Sequence, residues 1–235
     1  MVLENKVAIV TGASDGLGKE IAFALAKEKV KLALISRNEE KLGEVKKEAL
    51  CLGSSEVAVF PCDITETKRV VEVLGDIHSH FGRIDILINN AGIWQKMALA
   101  EEVDEEAVDQ VIATNLTAQI HVTKAVLPIM KGQKEGAIIN VISKSGVVPQ
   151  EGQAVYGASK YGLRGFTEVL DLELKGSGVR VAGLYQGGVE TQMFAKAGDK
   201  VALDGFIKAK DLAKVVVFTL SRPENTWLSH VRVDR

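Results

Sequence analysis

The sequence is poor in cysteine and has no excess of charge of either sign. Only two cysteines, Cys51 and Cys62, occur in 235 residues, and a chain of this length can bury a sizeable core without disulfides. Reduced thiols and a cytoplasmic location are therefore expected. The formal net charge is -2, with acids and bases interspersed. This balance excludes the charge pattern typical of proteins that bind nucleic acid or an anionic membrane.

Long hydrophobic runs and linker-like segments are also missing. No apolar run approaches the roughly 18 residues that a membrane-spanning helix requires, and no signal peptide is expected at the N-terminus. His78 and His80 lie two residues apart on a predicted helix and so point to different sides, so no metal site is expected. Because no Pro/Ser-rich linker divides the chain, residues 1–235 are interpreted as a single domain.

Short, β-branched apolar runs alternate with longer helical stretches. Strands buried on both faces are predicted at residues 7–10, 32–35, 57–60, 84–88, 137–142 and 179–184. Helices are predicted at residues 17–29, 39–50, 67–80, 105–130 and 154–175, with a further helix at 210–220 and a last strand at 227–233. This alternation predicts an α/β fold, namely a doubly wound parallel sheet of Rossmann type with helices on both faces. The irregular stretch 191–206 is a candidate substrate lid.

A glycine-rich turn directly follows the first predicted strand and opens the first helix. Its glycines are Gly12, Gly16 and Gly18. Such a turn lets the backbone approach a pyrophosphate closely, and the positive end of the helix attracts the anion. The spacing differs from the commoner Gly-x-Gly-x-x-Gly, but the position between strand and helix predicts a dinucleotide site.

The end of the second predicted strand favours NADP(H) over NAD(H). The sequence there reads Ser36, Arg37, Asn38, with no acid before Glu39. An acid would bind the 2′-hydroxyl of NAD, whereas an arginine can pair with the 2′-phosphate of NADP. The alternative is that Arg37 caps a solvated loop. Asp15 within the glycine turn argues mildly against a phosphate there.

A tyrosine and a lysine share one face of the predicted helix 154–175. Tyr156 and Lys160 are four residues apart, so their side chains rise one turn apart. The unperturbed pKa of tyrosine is about 10, and a neighbouring ammonium is expected to lower it toward the range useful for proton transfer. The alternative is a half-buried tyrosine and a solvated lysine on an ordinary amphipathic helix. The surrounding motifs favour a catalytic role for Tyr156 and Lys160.

Taken in order, these motifs resemble the short-chain dehydrogenase/reductase family over nearly the whole chain. The matching segments are Thr11 to Gly18, Cys62-Asp63-Ile64, Asn89-Asn90-Ala91-Gly92, Asn115, Ser143, and Tyr156-Gly157-Ala158-Ser159-Lys160. The resemblance implies an NAD(P)(H)-dependent oxidoreductase acting on CH-OH groups.

The resemblance also implies the catalytic residues. Tyr156 would exchange a proton with the substrate oxygen, and Ser143 would hydrogen-bond the same oxygen. Lys160 would hold the nicotinamide ribose and lower the pKa of Tyr156, and Asn115 would kink its helix and complete a proton path. Ser145 is the alternative to Ser143, and packing against the sheet is the alternative role for Asn115.

The implied cofactor contacts come from five loops and from the helix predicted at 154–175. Asp63 would accept a hydrogen bond from adenine, with helix capping as its alternative, and Thr191 would meet the nicotinamide carboxamide. Gln186 stands where the family usually has proline, and a second glycine, Gly188, is expected to loosen that turn. The implied contacts are Gly12, Ser14, Asp15, Gly16, Leu17, Gly18, Ser36, Arg37, Asn38, Asp63, Ile64, Asn90, Ala91, Gly92, Tyr156, Lys160, Gly187, Val189 and Thr191.

The leading interpretation is reversible, NADPH-dependent reduction of a small carbonyl compound to a secondary alcohol. One alternative is a 3-oxoacyl-[acyl-carrier-protein] reductase, for which Lys131 to Lys134 and Arg164 are the only hints of a basic patch. The alternative of another class is a non-catalytic NADP(H)-binding protein. The resemblance further implies a homodimer or homotetramer, assembled through the helices predicted at 105–130 and 154–175.

Overall fold

A parallel sheet of seven strands forms the centre of the computed structural model, which describes residues 1–223 and 225–234. The strand order is β3-β2-β1-β4-β5-β6-β9, and all of its pairings are parallel. The strands are β1 (Val7–Thr11), β2 (Lys31–Ser36), β3 (Val57–Pro61), β4 (Ile86–Asn89), β5 (Gly136–Val141), β6 (Val179–Gln186) and β9 (His230–Val233). The predicted doubly wound Rossmann-type sheet is therefore confirmed.

Helices cover both faces of this sheet. They are α1 (Gly16–Lys27), α2 (Glu39–Leu52), α3 (Thr67–Phe81), α4 (Glu105–Ile112), α5 (Ala118–Gln133), α6 (Ala154–Glu173), α7 (Met193–Lys196) and α8 (Ala209–Leu220). Helices α1, α2 and α8 pack on one face, and α3, α5 and α6 pack on the other. Among the described residues, no helix combines the length and apolar character needed to span a membrane.

Burial on both sheet faces explains why the strands read as continuous apolar runs. Along β1, Ala8 and Val10 face the α1 side, whereas Ile9 faces the α3 side. All five residues of this strand are buried. Because successive side chains point to opposite faces, both faces must be apolar when helices cover both.

The helix predicted at 105–130 is interrupted at Asn115, the residue that the resemblance implied would kink it. A π-helical segment, Ala113–Thr117, separates α4 from α5 and contains Asn115. The 191–206 segment is also more ordered than its composition indicated. It contains α7, and the short strands β7 (Val189–Glu190) and β8 (Ile207–Lys208) pair at its two ends.

Candidate active site

The loops that carry the motifs meet at one edge of the sheet. Strand β1 pairs with β2 on one side and with β4 on the other, so the order in which the chain adds strands to the sheet reverses there. A crevice forms at such a switch point, outside the carboxyl ends of the strands, and ligands of open α/β sheets bind in it. The turns after β1, β4, β5 and β6 all open toward this edge.

The glycine turn after β1 packs directly against the turn after β4. A Cβ added at Gly18 would lie 2.2 Å from the Gly12 carbonyl oxygen and 2.5 Å from Asn90 Nδ2. At Gly12, where φ is +65°, it would lie 2.9 Å from Ala91 Cα. Asn90 Nδ2 donates to the Thr11 carbonyl oxygen at 2.9 Å. Only glycine fits at these two positions, and the resulting backbone cradle at the start of α1 suits a pyrophosphate.

Two serines join the glycine turn to the end of β2. The Ser36 hydroxyl donates to Ser14 Oγ at 2.8 Å. The next residue, Arg37, extends into a crevice shared with Asp63 and Arg69. Its guanidinium lies 3.7 Å from Asp63 Oδ2 and its side chain is 75% exposed. Arg37 is therefore free to reorient toward an anion, while Asn38 caps α2 by accepting a hydrogen bond from the Lys41 amide at 2.9 Å.

Asp63 uses its two carboxylate oxygens differently. Oδ1 accepts hydrogen bonds from the Thr65 amide at 2.9 Å and from the Thr65 hydroxyl at 2.8 Å, while Oδ2 faces Arg37. The first contact closes a turn within the loop and is not the helix cap that the sequence left open as an alternative, because Glu66 is the N-cap of α3. Ile64 is buried beside it. Asp63 thus braces the loop whether or not it also contacts a ligand.

Ser143 lies at the end of β5 in a strained backbone conformation. Its φ is 106° and its ψ is 155°, a region that residues other than glycine rarely occupy. Its Oγ accepts a hydrogen bond from the Ser145 amide at 3.2 Å and lies 3.4 Å from Ser145 Oγ, and its proximity to the Tyr156 phenol favours a lower pKa of that group. Strain of this kind is held in place by the surrounding structure and is typical of functional sites.

Ser145 occupies a different position from Ser143. It is buried, and its hydroxyl donates to Gln153 Oε1 at 2.8 Å and accepts from Gln150 Nε2 at 2.9 Å. These partners already satisfy its hydroxyl. Ser143, and not Ser145, is the serine that affects the pKa of Tyr156.

Tyr156 and Lys160 rise one turn apart from α6 and are both buried, with 5% and 4% of their surface exposed. Lys160 Nζ lies 5.7 Å from the centre of the Tyr156 ring and donates to the Val141 carbonyl oxygen at 3.0 Å. Burial raises the pKa of Tyr156 to about 12, an effect that the hydrogen bond with Ser143 partly offsets. Burial also lowers the pKa of Lys160 to about 8.

The expectation that the pKa of Tyr156 is lowered toward the working range is not met in this structure, because burial raises it. Burial disfavours the charged form of each group, so the phenol and the amine are both driven toward neutrality. A phenolate at Tyr156 or an ammonium at Lys160 is therefore unfavourable unless a polar group contacts it.

Asn115 links the π-helical segment to the turn after β4. Its Oδ1 accepts from the Ile93 amide at 2.8 Å, and its Nδ2 donates to the Ile93 carbonyl oxygen at 2.9 Å. A Cβ added at Gly92 would lie 3.2 Å from Asn115 Oδ1 and 3.7 Å from Lys160 Nζ. The structure thus brings Asn115, Gly92 and Lys160 together at one point of the crevice.

The turn after β6 is tightly packed, contrary to the expectation that its second glycine loosens it. A Cβ added at Gly188 would lie 2.5 Å from the Phe206 ring, and the Gly188 carbonyl oxygen accepts from the Ile207 amide at 2.9 Å. The Gly187 amide donates to the Val233 carbonyl oxygen at 2.9 Å. Gly188 is therefore required for close packing against the 191–206 segment.

The end of this turn reaches the glycine turn. Val189 is nearly buried, and a Cβ added at Gly16 would lie 3.4 Å from Thr191 Cγ2. Gln186 is buried, and its Oε1 has no hydrogen-bond partner among the described residues. A backbone cradle at the start of α1 and a buried phenol at the same edge of the sheet fit a dinucleotide whose reactive ring would lie near Tyr156.

Three side chains to which the sequence assigned no individual contacts complete the crevice. The Trp94 ring centre lies 4.6 Å from that of Tyr156. Gln95 Oε1 accepts from the Tyr156 amide at 3.0 Å and so anchors the first turn of α6. Lys196 of α7 forms an ion pair with Asp15 in the glycine turn, which offsets the charge that argued against a phosphate there. Apart from the position of Trp94 and Gln95 just after the Asn-Ala-Gly turn, the sequence carries no signal for these contacts.

Known proteins resemble this chain over most of its length. Residues 6–202 match the family model described as short chain dehydrogenase. An uncharacterised oxidoreductase of Staphylococcus saprophyticus is 36% identical over 233 residues, which cover 98% of this chain and 97% of that protein. A 3-oxoacyl-[acyl-carrier-protein] reductase of Thermotoga maritima is 35% identical over 237 residues, covering 97% of this chain and 95% of the relative.

A solved structure extends the likeness to the whole backbone. The alcohol dehydrogenase of the archaeon Thermococcus sibiricus, in complex with 5-hydroxy-NADP, superposes with a TM-score of 0.90 at 27% identity. The superposition covers 98% of this chain and 96% of the other.

Proposed function

The chain belongs to the short-chain dehydrogenase family of oxidoreductases, and from this premise we propose that it reduces a carbonyl to a secondary alcohol, reversibly, with NADP(H). The observation that carries the proposal is the grouping of the buried Tyr156 and Lys160, one helical turn apart on α6, with Ser143 at the end of β5. A strained serine, a buried phenol and a buried amine at the mouth of a dinucleotide crevice suit proton exchange with a substrate oxygen.

Each residue of this group has a role that follows from its chemistry. A reduced nicotinamide, when bound, supplies the hydride. Tyr156 gives its phenolic proton to the carbonyl oxygen, and the Ser143 hydroxyl hydrogen-bonds that oxygen where negative charge develops. The Lys160 ammonium stabilises the phenolate that remains and binds the cofactor ribose. Asn115 holds the segment beside Lys160 in place through the Ile93 backbone.

Arg37 supports the choice of NADP(H). It follows β2, is largely exposed, and within residues 1–223 and 225–234 its ion-pair partner is Asp63 at 3.7 Å, so it can turn toward a 2′-phosphate at little cost. The Lys196 pairing of Asp15 removes the electrostatic objection to a phosphate nearby. The remaining cofactor contacts proposed from the sequence surround the same crevice.

Consumption of NADPH and NADH, measured with diketones, oxoesters, aldehydes and a 3-oxoacyl thioester, tests the reaction and the cofactor together. We expect NADPH to be oxidised with higher kcat/KM than NADH. Replacing Arg37 by alanine should lower kcat/KM for NADPH by about 10- to 100-fold, the value of one charged hydrogen bond, and leave NADH nearly unaffected. The comparison variant is Arg69→Ala, which lines the same crevice but pairs with Glu72 at 3.0 Å.

The outcomes separate the alternatives. A wild-type preference for NADH, or equal losses with both cofactors in the Arg37 variant, contradicts the NADP(H) assignment. No oxidation of NADPH with any carbonyl compound favours the non-catalytic NADP(H)-binding protein. Selective use of the 3-oxoacyl thioester favours the acyl-carrier-protein reductase.

The acyl-carrier-protein reductase is supported by the relative of that activity at 35% identity. Such an enzyme needs a basic surface for its acidic carrier protein. Arg164, one of the candidate residues for that surface, forms an ion pair with Glu168 at 2.7 Å. This pairing reduces its value as a docking charge, so we place the small carbonyl compound first.

We also propose that the chain forms a homodimer or homotetramer. Leu172 and Val169 on the outer face of α6 are 61% and 55% exposed, and Tyr161 is 41% exposed. Apolar side chains grouped on one helix face are typical of a surface that is covered in an assembly. Sedimentation velocity measures the assembly directly, and a monomer at micromolar concentration would contradict the proposal.

A further inference from the structure

A row of aromatic rings runs from the candidate catalytic tyrosine to the 191–206 segment. The Trp94 ring centre lies 4.6 Å from that of Tyr156 and 4.9 Å from that of Phe194. The Phe194 ring centre lies 5.8 Å from that of Phe206. These are the separations of favourable aromatic pairs. The side of the crevice next to Tyr156 is thus a wall of flat apolar rings.

Asp199 fastens the 191–206 segment to this wall. Its Oδ2 accepts hydrogen bonds from Trp94 Nε1 at 3.0 Å and from the Met97 amide at 3.3 Å. Both donors belong to the loop after β4, across the crevice from the segment. Hydrogen bonds to a carboxylate are stronger than those between neutral groups. Asp199 therefore sets the orientation of the Trp94 ring over Tyr156.

A second contact ties the same segment to the glycine turn. Lys196 forms an ion pair with Asp15, and the Thr191 methyl group lies against Gly16. The segment is thus attached to both sides of the crevice, by Asp199 on the substrate side and by Lys196 on the cofactor side.

From this arrangement we propose that Trp94 is a specificity-determining residue, and that Asp199 is a positioning residue. The hydrogen bond from Trp94 Nε1 to Asp199, called the clasp below, holds the indole ring over Tyr156. The inference rests on the proposed carbonyl reduction. The wall selects an uncharged carbonyl compound with a flat apolar body, because such a body packs against the rings. A carboxylate next to the carbonyl is disfavoured, because it would enter an apolar site that already holds the Asp199 carboxylate.

Two probes that differ only in charge test this selectivity. Methyl benzoylformate and benzoylformate carry the same aryl ketone, the first as an uncharged ester and the second as an anion. We expect kcat/KM for the ester to exceed that for the acid by at least about tenfold, the effect of a modest charge repulsion in a desolvated site. Trp94→Ala should lower kcat/KM for the ester about tenfold through lost ring contacts, and Trp94→Phe should retain most of it.

A variant of Asp199 distinguishes the effect of its charge from the effect of ring packing. Asp199→Asn removes the negative charge but keeps an oxygen acceptor, so it should raise kcat/KM for the acid relative to the ester. Trp227→Phe is the matched control, because the Trp227 indole donates to the Val181 carbonyl oxygen away from the ring wall. It should leave the ratio of ester to acid unchanged. An unchanged ratio in both Trp94→Ala and Asp199→Asn would overturn the proposal.

A readout that does not depend on turnover follows the clasp itself. Trypsin can cleave the segment after Lys196 or Lys200, and cleavage should be faster in Asp199→Ala than in the wild type or in Trp227→Phe. Equal cleavage rates in all three would overturn the clasp. If neither probe is reduced, the carbonyl-reductase proposal is judged by the wider panel of carbonyl compounds, and the wall is still tested by quenching of Trp94 fluorescence in Trp227→Phe. Stronger quenching by the ester supports the wall, and equal or stronger quenching by the acid contradicts it.

Discussion

Replacing Tyr156 by phenylalanine is expected to reduce kcat by about 10²- to 10⁴-fold, because the variant removes the only group in our proposal that transfers a proton to the substrate oxygen. The aromatic ring should stay in place, since Trp94 packs on it and Gln95 holds the Tyr156 amide. The dissociation constant of NADPH should therefore remain nearly unchanged. Steady-state kinetics and a fluorescence titration with NADPH measure the two effects separately.

Tyr161→Phe is the matched control for this prediction. Tyr161 lies on the same helix and is 41% exposed, so loss of its hydroxyl should change neither quantity. Losses of equal size in turnover and cofactor affinity for Tyr156→Phe would instead indicate that Tyr156 only supports the binding site. Full activity in that variant would refute its catalytic role.

The fold is predictable from the sequence because its determinants are local. Strands β1 and β2 are buried on both faces and so appear as short apolar runs, while helices such as α3 show an apolar stripe at helical spacing. Once strands and helices alternate, right-handed connections leave few arrangements other than a doubly wound parallel sheet. The motif residues follow strand ends, so their meeting at one edge is also predictable.

The parts of the site that could not be predicted depend on contacts between distant residues. Asn115 interrupts its helix by binding the Ile93 backbone 22 positions away, and Asp199 binds Trp94 across 105 positions. No local pattern marks either partner. The requirement for glycine at position 188 also depends on a distant residue, because a Cβ there would clash with the Phe206 ring. The sequence supplies these residues, but only the folded chain shows what they touch.

The sign of the Tyr156 pKa shift shows why burial has to be known before a charge effect is assigned. Helical spacing correctly places Lys160 beside Tyr156, and attraction between their charges would lower the pKa of the phenol. Their nearly complete burial acts in the opposite direction and is larger. A neutral phenol retains its proton for donation to a substrate oxygen, which is the direction of carbonyl reduction.

Lys160→Met is expected to make the protein more stable and inactive. The pKa of Lys160 is lowered from 10.5 to about 8 by burial, so the folded protein binds fewer protons than the unfolded chain between these two values. Stability therefore rises with pH across this window. The cost of burying the ammonium is fully present below about pH 8 and is relieved above about pH 10.5. Methionine has a similar length and no charge to bury.

At pH 7 the free energy of unfolding of Lys160→Met should exceed that of the wild type by about 1–3 kcal/mol, the shift at roughly 1.4 kcal/mol per pKa unit less the lost hydrogen bond to Val141. Urea denaturation from pH 7 to pH 10 should show this difference shrinking as pH rises. Turnover and NADPH affinity should both fall, because no ammonium remains to bind the ribose and stabilise the phenolate. Lys124→Met, at an exposed position of α5, is the control and should change none of these. A residue kept for its chemistry should cost stability where it is buried and charged. A Lys160→Met protein that is less stable than the wild type at every pH would contradict this prediction and would mean that the amine stabilises the fold.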